Sequence, residues 1–273
     1  MEAIQPKGID TNINFKGVTI CCDDFGPCAI PIIFIHGFPF DKSSERPQME
    51  FLKHTHRVLA YDIRGFGKST AGEDNVSISL FVDDLIELMD VLQIEKAVAC
   101  GLSLGGYILL NAVSRYSERF EAVILSDMQC ISNSFAGEEK RFKTIDQINA
   151  EGLTNFDESF VNNIFCPDSP DAKKELVENI REIILTTSSI KITPTLGALA
   201  QRPEVCSTLN EILIPILILC GEEDNITPMT HAEYLNRSIV NSVFHNNEWS
   251  GYLSNLEQPE EFNHYHTSFI PQA

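Results

Sequence analysis

The sequence predicts an α/β fold, with a mostly parallel central sheet, helices on both faces and a helical insertion late in the chain. Short apolar runs that end in Gly, Asp or polar residues alternate with longer amphipathic stretches, which is typical of β-α units. Between about Met128 and Leu213 the alternation stops, and no convincing central strand follows there. We therefore expect residues 1–128 and 214–273 to form the core. Residues 129–213 would form a helical cap, or else a helical segment without a functional role.

The chain opens with a predicted hairpin, in which Asn12–Phe15 and Val18–Cys22 are the strands and Lys16-Gly17 is a two-residue turn. Buried strands are predicted where Ile, Val, Leu or Ala run together and end at Gly, Asp or a polar residue. These runs are Ile30–Ile35, Val58–Ile63, Ala97–Gly101, Ala122–Asp127, Ile214–Gly221 and Ser242–His245.

Amphipathic helices are predicted between these strands. From Ser77 to Leu92 the leucines recur at intervals of three and four, with acidic residues on the outer face. A second helix, Leu104–Tyr116, begins immediately after a glycine-rich turn. The predicted cap holds the charged run EEKR at residues 138–141, and its aromatic residues suggest an apolar ceiling or ordinary core packing. These aromatic residues are Phe135, Phe142, Phe156, Phe160 and Phe165.

The charge balance argues against several classes of protein. The 273 residues, enough for one large or two small domains, include 20 Lys and Arg against 39 Asp and Glu, a net charge of −19. Such a chain repels phosphate backbones and anionic lipids, so we expect neither a nucleic-acid partner nor a membrane partner. No apolar run approaches the roughly 20 residues that span a bilayer. The first ten residues lack the features of a signal peptide, and we therefore expect a cytoplasmic protein.

The eight cysteines agree with that expectation. No pair has the C-x-x-C spacing, and several cysteines lie inside apolar runs. We expect them to be reduced and buried, because a disulfide framework is unusual in a chain of this size. Their spacing does not match a zinc site, so no metal is expected.

The strongest chemical motif is the turn Gly101-Leu102-Ser103-Leu104-Gly105, which follows a predicted strand and precedes a predicted helix. A G-x-S-x-G sequence in this context makes a sharp turn that lifts the serine hydroxyl above the sheet. Glycine is needed on both sides because bulkier side chains would collide with neighbouring backbone. The start of the helix also directs free N–H groups towards the serine. We predict that Ser103 is a nucleophile, and a purely structural glycine turn is the alternative.

Five segments, in this order, make the chain resemble the α/β-hydrolases over nearly its whole length. They are IFIHGFP at residues 33–39, YDIRGFGKS at 61–69, GLSLGG at 101–106, CGEEDNITP at 220–228 and SGYLSNLEQP at 250–259. In that family the segments carry the oxyanion loop, a D-x-R-G-x-G-x-S loop, the nucleophile elbow, the acid and the base. Within the family, the sequence looks most like small serine esterases and 3-oxoadipate enol-lactonases.

The resemblance implies a role for each matching residue. Ser103 would attack an acyl carbon, and the backbone N–H groups of Phe38 and Leu104 would hold the oxyanion that forms. Asp224 would orient the base and stabilise its charged form. Asp127, at the end of an earlier strand, is the alternative acid, and Asp224 would then be a capping or surface carboxylate. Four further polar residues are expected to brace loops, namely His36, Asp62, Arg64 and Ser69.

The base is where the sequence departs from the family. The histidine belongs at position 252, because Gly251 before it and Glu257 and Pro259 after it are in register, but this residue is Tyr252. A phenol has a reference pKa of about 10, so almost none is ionised at neutral pH. A phenol also has one polar atom where imidazole has two. Tyr252 therefore cannot accept a proton from Ser103 while donating to an acid in the same geometry.

Three explanations of the tyrosine follow. The protein is natural and turns over little or nothing, or the residue is an engineered change that stops turnover, or another histidine supplies the base. His245 is the nearest histidine in sequence, whereas His264 and His266 are expected to be exposed on the last helix. The other candidates, expected on helix ends or loops, are His54, His56 and His231.

Two main functions are consistent with these residues. The first is a serine hydrolase that cleaves a small carboxylic ester or lactone through an acyl-enzyme on Ser103, with activity reduced by Tyr252 and no metal or organic cofactor. The second is a catalytically silent protein of the same fold that binds or senses a small ligand. Carbon–carbon bond hydrolysis and dehalogenation are less favoured, and the nucleophile of dehalogenation is normally Asp.

Overall fold

The computed structural model describes residues 8–27 and 30–270, which are built around an eight-stranded sheet with the strand order β1-β2-β4-β3-β5-β6-β7-β8. The β1–β2 and β2–β4 pairs are antiparallel, and all other neighbours are parallel. The strands are β1 (Gly8–Phe15), β2 (Val18–Phe25), β3 (Ile32–Ile35), β4 (Val58–Tyr61), β5 (Ala97–Leu102), β6 (Phe120–Ser126), β7 (Ile216–Gly221) and β8 (Ser242–Asn247). The mostly parallel sheet expected from the sequence is confirmed.

The predicted hairpin is also confirmed. Phe15 pairs with Val18, so that Lys16 and Gly17 form the two-residue turn between β1 and β2. Both turn residues have positive φ, 45° for Lys16 and 77° for Gly17. Two successive residues with positive φ match the right-handed twist of the strands that they join.

Helices cover the sheet and fill the gap before β7. They are α1 (Arg46–Leu52), α2 (Ile78–Val91), α3 (Leu104–Tyr116), α4 (Phe135–Glu151), α5 (Thr154–Ile164), α6 (Ser169–Ala172), α7 (Lys174–Thr186), α8 (Ser189–Ala200), α9 (Met229–Ser238), α10 (Ser254–Glu257) and α11 (Pro259–Phe269). The helix α2 is capped by Ser77, whose side chain accepts a hydrogen bond from Leu80 N–H at 3.1 Å. Within the described ranges, no single helix is long and apolar enough to cross a membrane. The bent pair of α7 and α8, with 97° between them, meets that length and hydropathy requirement only when taken together.

Both faces of the sheet are buried, as successive residues of β3 show. Ile33 and Ile35 pack with side chains of α2 and α3, whereas Ile32 and Phe34 pack with side chains of α1 and α11. Each of these four side chains is at most 1 % exposed. A strand covered on both faces has no polar alternation, which is why the sequence of β3 is a continuous apolar run.

The chain between β6 and β7 is helical and contains α4 to α8. In this segment α4 packs on α8, and α5 packs on α7. Val161, Ile164 and Ile180 join Leu102 and Tyr252 in one apolar cluster, so the segment is seated on the carboxyl ends of the strands. The division of the chain into a core and a cap at residues 129–213 stays a prediction.

The expectation that the cysteines are reduced is wrong for one pair. Cys130 and Cys206 form a disulfide across a sequence separation of 76 residues, with a Cα–Cα distance of 5.0 Å. The fold brings them together because the chain after α8 returns to the segment that follows β6, where Val205 N–H donates to Cys130 O at 3.1 Å. No spacing rule reveals this contact. Five other cysteines are free and buried, and Cys28 lies outside the described residues. Reduced cysteines were one argument for a cytoplasmic location, and the disulfide removes that argument. The location stays a prediction.

Candidate active site

Ser103 lies in the sharp turn between β5 and α3. Its backbone has φ 48° and ψ −101°, a conformation that residues other than glycine rarely adopt. A Cβ atom on Gly105 would lie 2.1 Å from Ile35 O, and one on Gly101 would lie 2.4 Å from Gly105 C. The glycines on either side of the serine are therefore required by close backbone contacts, as the motif predicts.

The loop after β3 lies beside this turn. The strands β3 and β5 are parallel neighbours with Ile35 level with Gly101, so the two chains leave the sheet side by side. A Cβ on Gly37 would lie 3.1 Å from Leu102 Cγ, which shows how closely the loop approaches the turn. In the described part of the chain, the N–H groups of Phe38 and Leu104 donate no hydrogen bond to protein. Two free amide donors next to a serine hydroxyl are what an oxyanion site requires.

Tyr252 stands beside the serine. Its side chain is 3 % exposed, its hydroxyl donates a hydrogen bond to Ser103 Oγ, and its ring packs edge-on against Phe160. Its backbone N–H donates to Ile164 O at 2.8 Å, which fixes the loop on the end of α5. Burial raises the pKa of the Tyr252 phenol above its ordinary value. The phenol therefore keeps its proton at neutral pH and acts as a donor to Ser103.

No histidine of the described residues is hydrogen-bonded to Ser103, and all seven histidines lie in those residues. His36 is structural, as expected, since its Nε2 accepts from Ile63 N–H at 3.0 Å while Nδ1 is 2.8 Å from Gly37 O. Burial lowers the pKa of His36 to about 4, which keeps this ring neutral.

The last helix corrects one expectation about the histidines. His264 is exposed as expected, but His266 is fully buried, with its ring stacked on Phe34. Burial lowers the pKa of His266 to about 3. His245 stacks on Tyr265 at a centroid distance of 4.2 Å. These contacts show that His266 and His245 pack against aromatic rings.

Asp224, the predicted acid, follows β7 and is buried. One carboxylate oxygen accepts from Ile226 N–H at 2.7 Å and Thr227 N–H at 2.9 Å, and the other accepts from Thr227 Oγ1 at 2.6 Å. Burial raises the pKa of Asp224, and these hydrogen bonds act against that rise. In the described part of the chain the carboxylate makes no hydrogen bond to Tyr252, so the acid and the residue in the base position are not joined.

Asp127, the alternative acid, ends β6 and is fully buried. It accepts from Gly221 N–H at 2.8 Å, from Ser126 Oγ at 2.7 Å and from Ser254 Oγ at 2.6 Å. Burial raises the pKa of Asp127 well above its usual range, and the charge of Asp224 raises it further. Two buried carboxyl groups this close do not both ionise easily, and burial raises the pKa of each.

Asp127 and Asp224, together with Cys220, offer three ligand atoms within 4.8 Å of one another. Burial raises the pKa of the Cys220 thiol, so without a metal the sulfur carries a proton. Backbone or hydroxyl donors already engage both carboxylates. This donor set does not favour a cation, and the expectation of a site without metal stays a prediction.

Ser103 and Tyr252 line a cavity of about 660 Å³. Of the aromatic residues expected in the ceiling, Phe156 and Phe160 line this cavity, together with Phe38. The other three aromatic residues expected over the cavity do not line it. Phe135 is 84 % exposed, Phe142 is 39 % exposed, and Phe165 packs in the apolar cluster under α5.

The polar residues expected to stabilise loops form hydrogen bonds within and between those loops. Asp62 accepts from Lys68 N–H at 2.8 Å, and Ser69 Oγ donates to Asp62 O at 2.6 Å. Arg64 forms two hydrogen bonds with Asp84, at 2.7 and 2.6 Å, from within the core. None of these side chains lines the cavity.

Sequence reasoning missed two features of the site. Glu257, used only to set the register of the last motif, is fully buried and accepts from Gly251 N–H at 2.7 Å and Cys166 N–H at 3.0 Å, so it ties the Tyr252 loop to the end of α5. The second is a polar face of α4, formed in part by Lys140, Arg141, Thr144, Gln147 and Glu151, which lines the cavity. The three-and-four spacing of these residues was a readable signal.

The fold and the elbow together define a class of protein. The family model described as alpha/beta hydrolase fold matches residues 30–250, and the chain belongs to this family.

Among curated relatives, 3-oxoadipate enol-lactonase 1 of Acinetobacter baylyi is 31% identical over 264 residues, covering 94% of this chain and 95% of the relative. The enol-lactonase 2 of the same organism is 29% identical over 242 residues, with 88% of each chain covered. A thermophilic esterase from Thermogutta terrifontis has a TM-score of 0.89 at 28% identity, with 92% of each chain covered.

Proposed function

We propose that this protein is a serine hydrolase of small carboxylic esters or lactones, which acts through an acyl-enzyme on Ser103 and is slowed because Tyr252 replaces the base. One observation carries the proposal: the Ser103 hydroxyl stands at a strained elbow on a 660 Å³ cavity, beside the free N–H groups of Phe38 and Leu104. The relatives named as enol-lactonases and esterase support the ester or lactone as the substrate class.

The reaction follows from this geometry. Ser103 Oγ forms a bond to the acyl carbon, and the carbonyl electron pair moves to the oxygen, which the N–H groups of Phe38 and Leu104 receive. Collapse of the intermediate re-forms the carbonyl and breaks the bond to the leaving oxygen, which takes up, through solvent water, the equivalent of the proton that Ser103 loses. The leaving oxygen stays tethered to the acyl chain when the substrate is a lactone. Water then attacks the acyl-enzyme by the same route and releases the acid and the free serine.

Tyr252 provides no acceptor for the proton that Ser103 must lose. Burial raises the pKa of Tyr252, so its phenol already carries a proton and cannot take another. Neither Asp127 nor Asp224 forms a hydrogen bond with Tyr252 in the described residues, so no relay to a carboxylate stands behind it. Loss of a triad histidine costs on the order of 10⁴- to 10⁶-fold in rate. We infer slow turnover that rests on the oxyanion site and on binding.

A binding protein without turnover is the second candidate. The hydrogen bond from Tyr252 to Ser103 favours it, because it occupies the nucleophile with a donor that has no basic character. A fluorophosphonate probe separates the two candidates. The hydrolase should be labelled slowly at Ser103, whereas the binding protein should resist labelling while still binding a small ligand.

Hydrolysis of 4-nitrophenyl butyrate by the wild-type and Tyr252→His proteins tests the proposal. We expect very slow hydrolysis by the wild type and an increase of at least about 10²-fold in kcat/KM for Tyr252→His, because an imidazole restores an acceptor for the serine proton. Tyr234→His, at an exposed tyrosine of α9, is the matched control and should leave the rate unchanged. Ser103→Ala should abolish both rates. Equal rates for the wild type and Tyr252→His, both abolished by Ser103→Ala, would show that another base operates.

A further inference from the structure

The disulfide between Cys130 and Cys206 joins the two ends of the helical segment that lies over the cavity. Cys130 follows β6, and Cys206 opens the short 3₁₀ helix Cys206–Glu211 that precedes β7. Between the two cysteines lie α4, α5 and α8, and side chains of all three helices line the cavity. The disulfide, the one covalent cross-link within the described residues, therefore fixes where this wall of the cavity begins and ends.

The residues beside the disulfide belong to the cavity or contact the nucleophile elbow. Gln129, next to Cys130, lines the cavity. Met128 packs against α3, since a Cβ atom on Gly106 would lie 2.8 Å from Met128 Cγ. Gly106 lies in the first turn of α3, the helix that follows Ser103. A displacement of the chain at Cys130 would therefore reach both the cavity wall and the element that carries Ser103.

Hydrogen bonds also hold the two ends of the segment together. Val205 N–H donates to Cys130 O at 3.1 Å. Asn133 Nδ2 donates to Leu199 O at 2.6 Å and to Ala200 O at 3.0 Å, and both Asn133 and Leu199 line the cavity. Each of these bonds has a neutral acceptor and contributes little net stability, so they break and re-form much more readily than a covalent bond.

Cys206 is the more accessible half of the disulfide. It is half-buried, and Ser207 and Thr208 after it are exposed, whereas Cys130 is 3 % exposed. The five free cysteines of the described residues are buried, and burial raises the pKa of each of these thiols, which keeps them protonated and unreactive. A thiolate from solution would therefore react at Cys206 Sγ.

We propose that the Cys130–Cys206 disulfide exchanges with small thiols, and that its reduction lets the helical segment open away from the cavity. A small thiolate attacks Cys206 Sγ, the S–S bond breaks, and Cys130 leaves as a thiolate that takes up a proton. A second small thiolate attacks the mixed disulfide and is released joined to the first, while the Cys206 thiolate takes up a proton. Oxidation by a small disulfide runs the same steps backwards. The proposal does not depend on the proposed function.

The size of the effect follows from the path of the chain. The shorter route between the two cysteines runs through the neighbouring strands β6 and β7, and the disulfide closes it into a loop of roughly 15 residues. A constraint on a loop of that length changes an opening equilibrium by at most about 100-fold. We therefore expect the segment of the reduced protein to open about 10- to 100-fold more often, while the sheet stays folded.

Hydrogen exchange of the wild-type protein, followed by mass spectrometry, tests the proposal in glutathione buffers of different redox ratio. Alkylation of the new thiols in the same samples measures how much of the pair is reduced. On reduction, amides of α4, α5 and α8 should exchange about 10- to 100-fold faster, and amides of α2, outside the segment, should keep their rates. Transfer to a buffer of oxidised glutathione should reverse both changes.

The matched control is the double variant Cys130→Ala/Cys206→Ala. Its α4, α5 and α8 should exchange as fast as those of the reduced wild type, and glutathione should leave these rates unchanged, because the free cysteines remain and only the exchanging pair is gone. The reduced wild type gives the same information without a substitution if the double variant does not fold.

Three results would overturn the proposal. Glutathione fails to reduce the pair in the folded protein, or reduction leaves the exchange of α4, α5 and α8 unchanged, or exchange accelerates equally in α2. The last result would mean that the disulfide stabilises the whole fold and does not act on the segment.

Access to Ser103 gives a second readout, measured with the Tyr252→His protein. A bulky biotin-linked fluorophosphonate should label Ser103 faster after reduction, whereas the small diisopropyl fluorophosphate should label it at a similar rate in both redox states. Failure of both probes to label either state contradicts the proposed function, and the exchange experiment still decides the present proposal. Labelling by the bulky probe that is independent of redox state contradicts the opening of the segment and leaves the proposed function standing.

Discussion

The contact between Gly105 and Ile35 gives a sharp test of why the elbow requires glycine. In Gly105→Ala, the new Cβ would lie 2.1 Å from Ile35 O, whereas real Cβ atoms are essentially never closer than 3.0 Å to a neighbouring atom. Helix α3 and strand β3 would therefore have to separate by about 1 Å. The obstacle is backbone, which cannot rotate away as a side chain can.

Overpacking of this kind costs about 1–3 kcal/mol, and more when the backbone must move, so we expect a loss of about 3 kcal/mol in the free energy of unfolding. For a chain of this size that corresponds to a fall of about 6–12 °C in Tm. The matched control is Gly197→Ala within α8, where a Cβ would meet nothing within 4 Å. This variant should gain about 0.5–1 kcal/mol, because alanine is the better helix former.

Thermal and urea unfolding, followed by circular dichroism, measure both variants. The reasoning depends on the opposite signs of the two changes, since both replace a helical glycine by alanine. A Gly105→Ala protein as stable as the wild type would refute it, and so would equal changes at both positions. The displaced β3 would also move the Phe38 N–H group, so any esterase activity should fall together with stability.

Two further predictions concern buried carboxyl groups. Burial raises the pKa of Glu45 from 4.5 to about 7, so the folded protein binds more protons than the unfolded chain between these pH values. The free energy of unfolding should therefore fall by up to about 3 kcal/mol as the pH rises through this window, and urea titrations of Glu45→Gln should lack that part of the slope. In the Tyr252→His background, Asp224→Asn should lower kcat/KM by about 10⁴-fold and Asp127→Asn by much less. The reverse order in a steady-state assay would assign the acid to Asp127.

The central sheet could be predicted closely because both of its faces are buried. The sequence predicts a strand over Ala97–Gly101, and β5 spans Ala97–Leu102. The predicted helix Leu104–Tyr116 coincides with α3, because the glycine-rich turn marks its start. A continuous apolar run next to a turn signal leaves little freedom in where the element begins.

Features that depend on distant contacts could not be predicted in the same way. His266 occupies a polar-looking position of α11, yet it is buried against Phe34 of β3, far away in sequence. Asp224 accepts hydrogen bonds from Ile226 and Thr227 of its own loop, which the sequence pattern alone does not reveal. Which side chains of α4 line the cavity depends on how this helix lies over it, and a helical pattern alone does not give that.

The disulfide at the base of the helical segment makes the chain a closed ring between Cys130 and Cys206. A protease that cuts an exposed loop inside this ring leaves two fragments that remain covalently joined. The cut protein therefore runs as one band on a gel without reductant and as two bands with it. A nick elsewhere, for example in an exposed loop before β5, separates into two bands under both conditions, so the two kinds of cleavage are distinguished without sequencing.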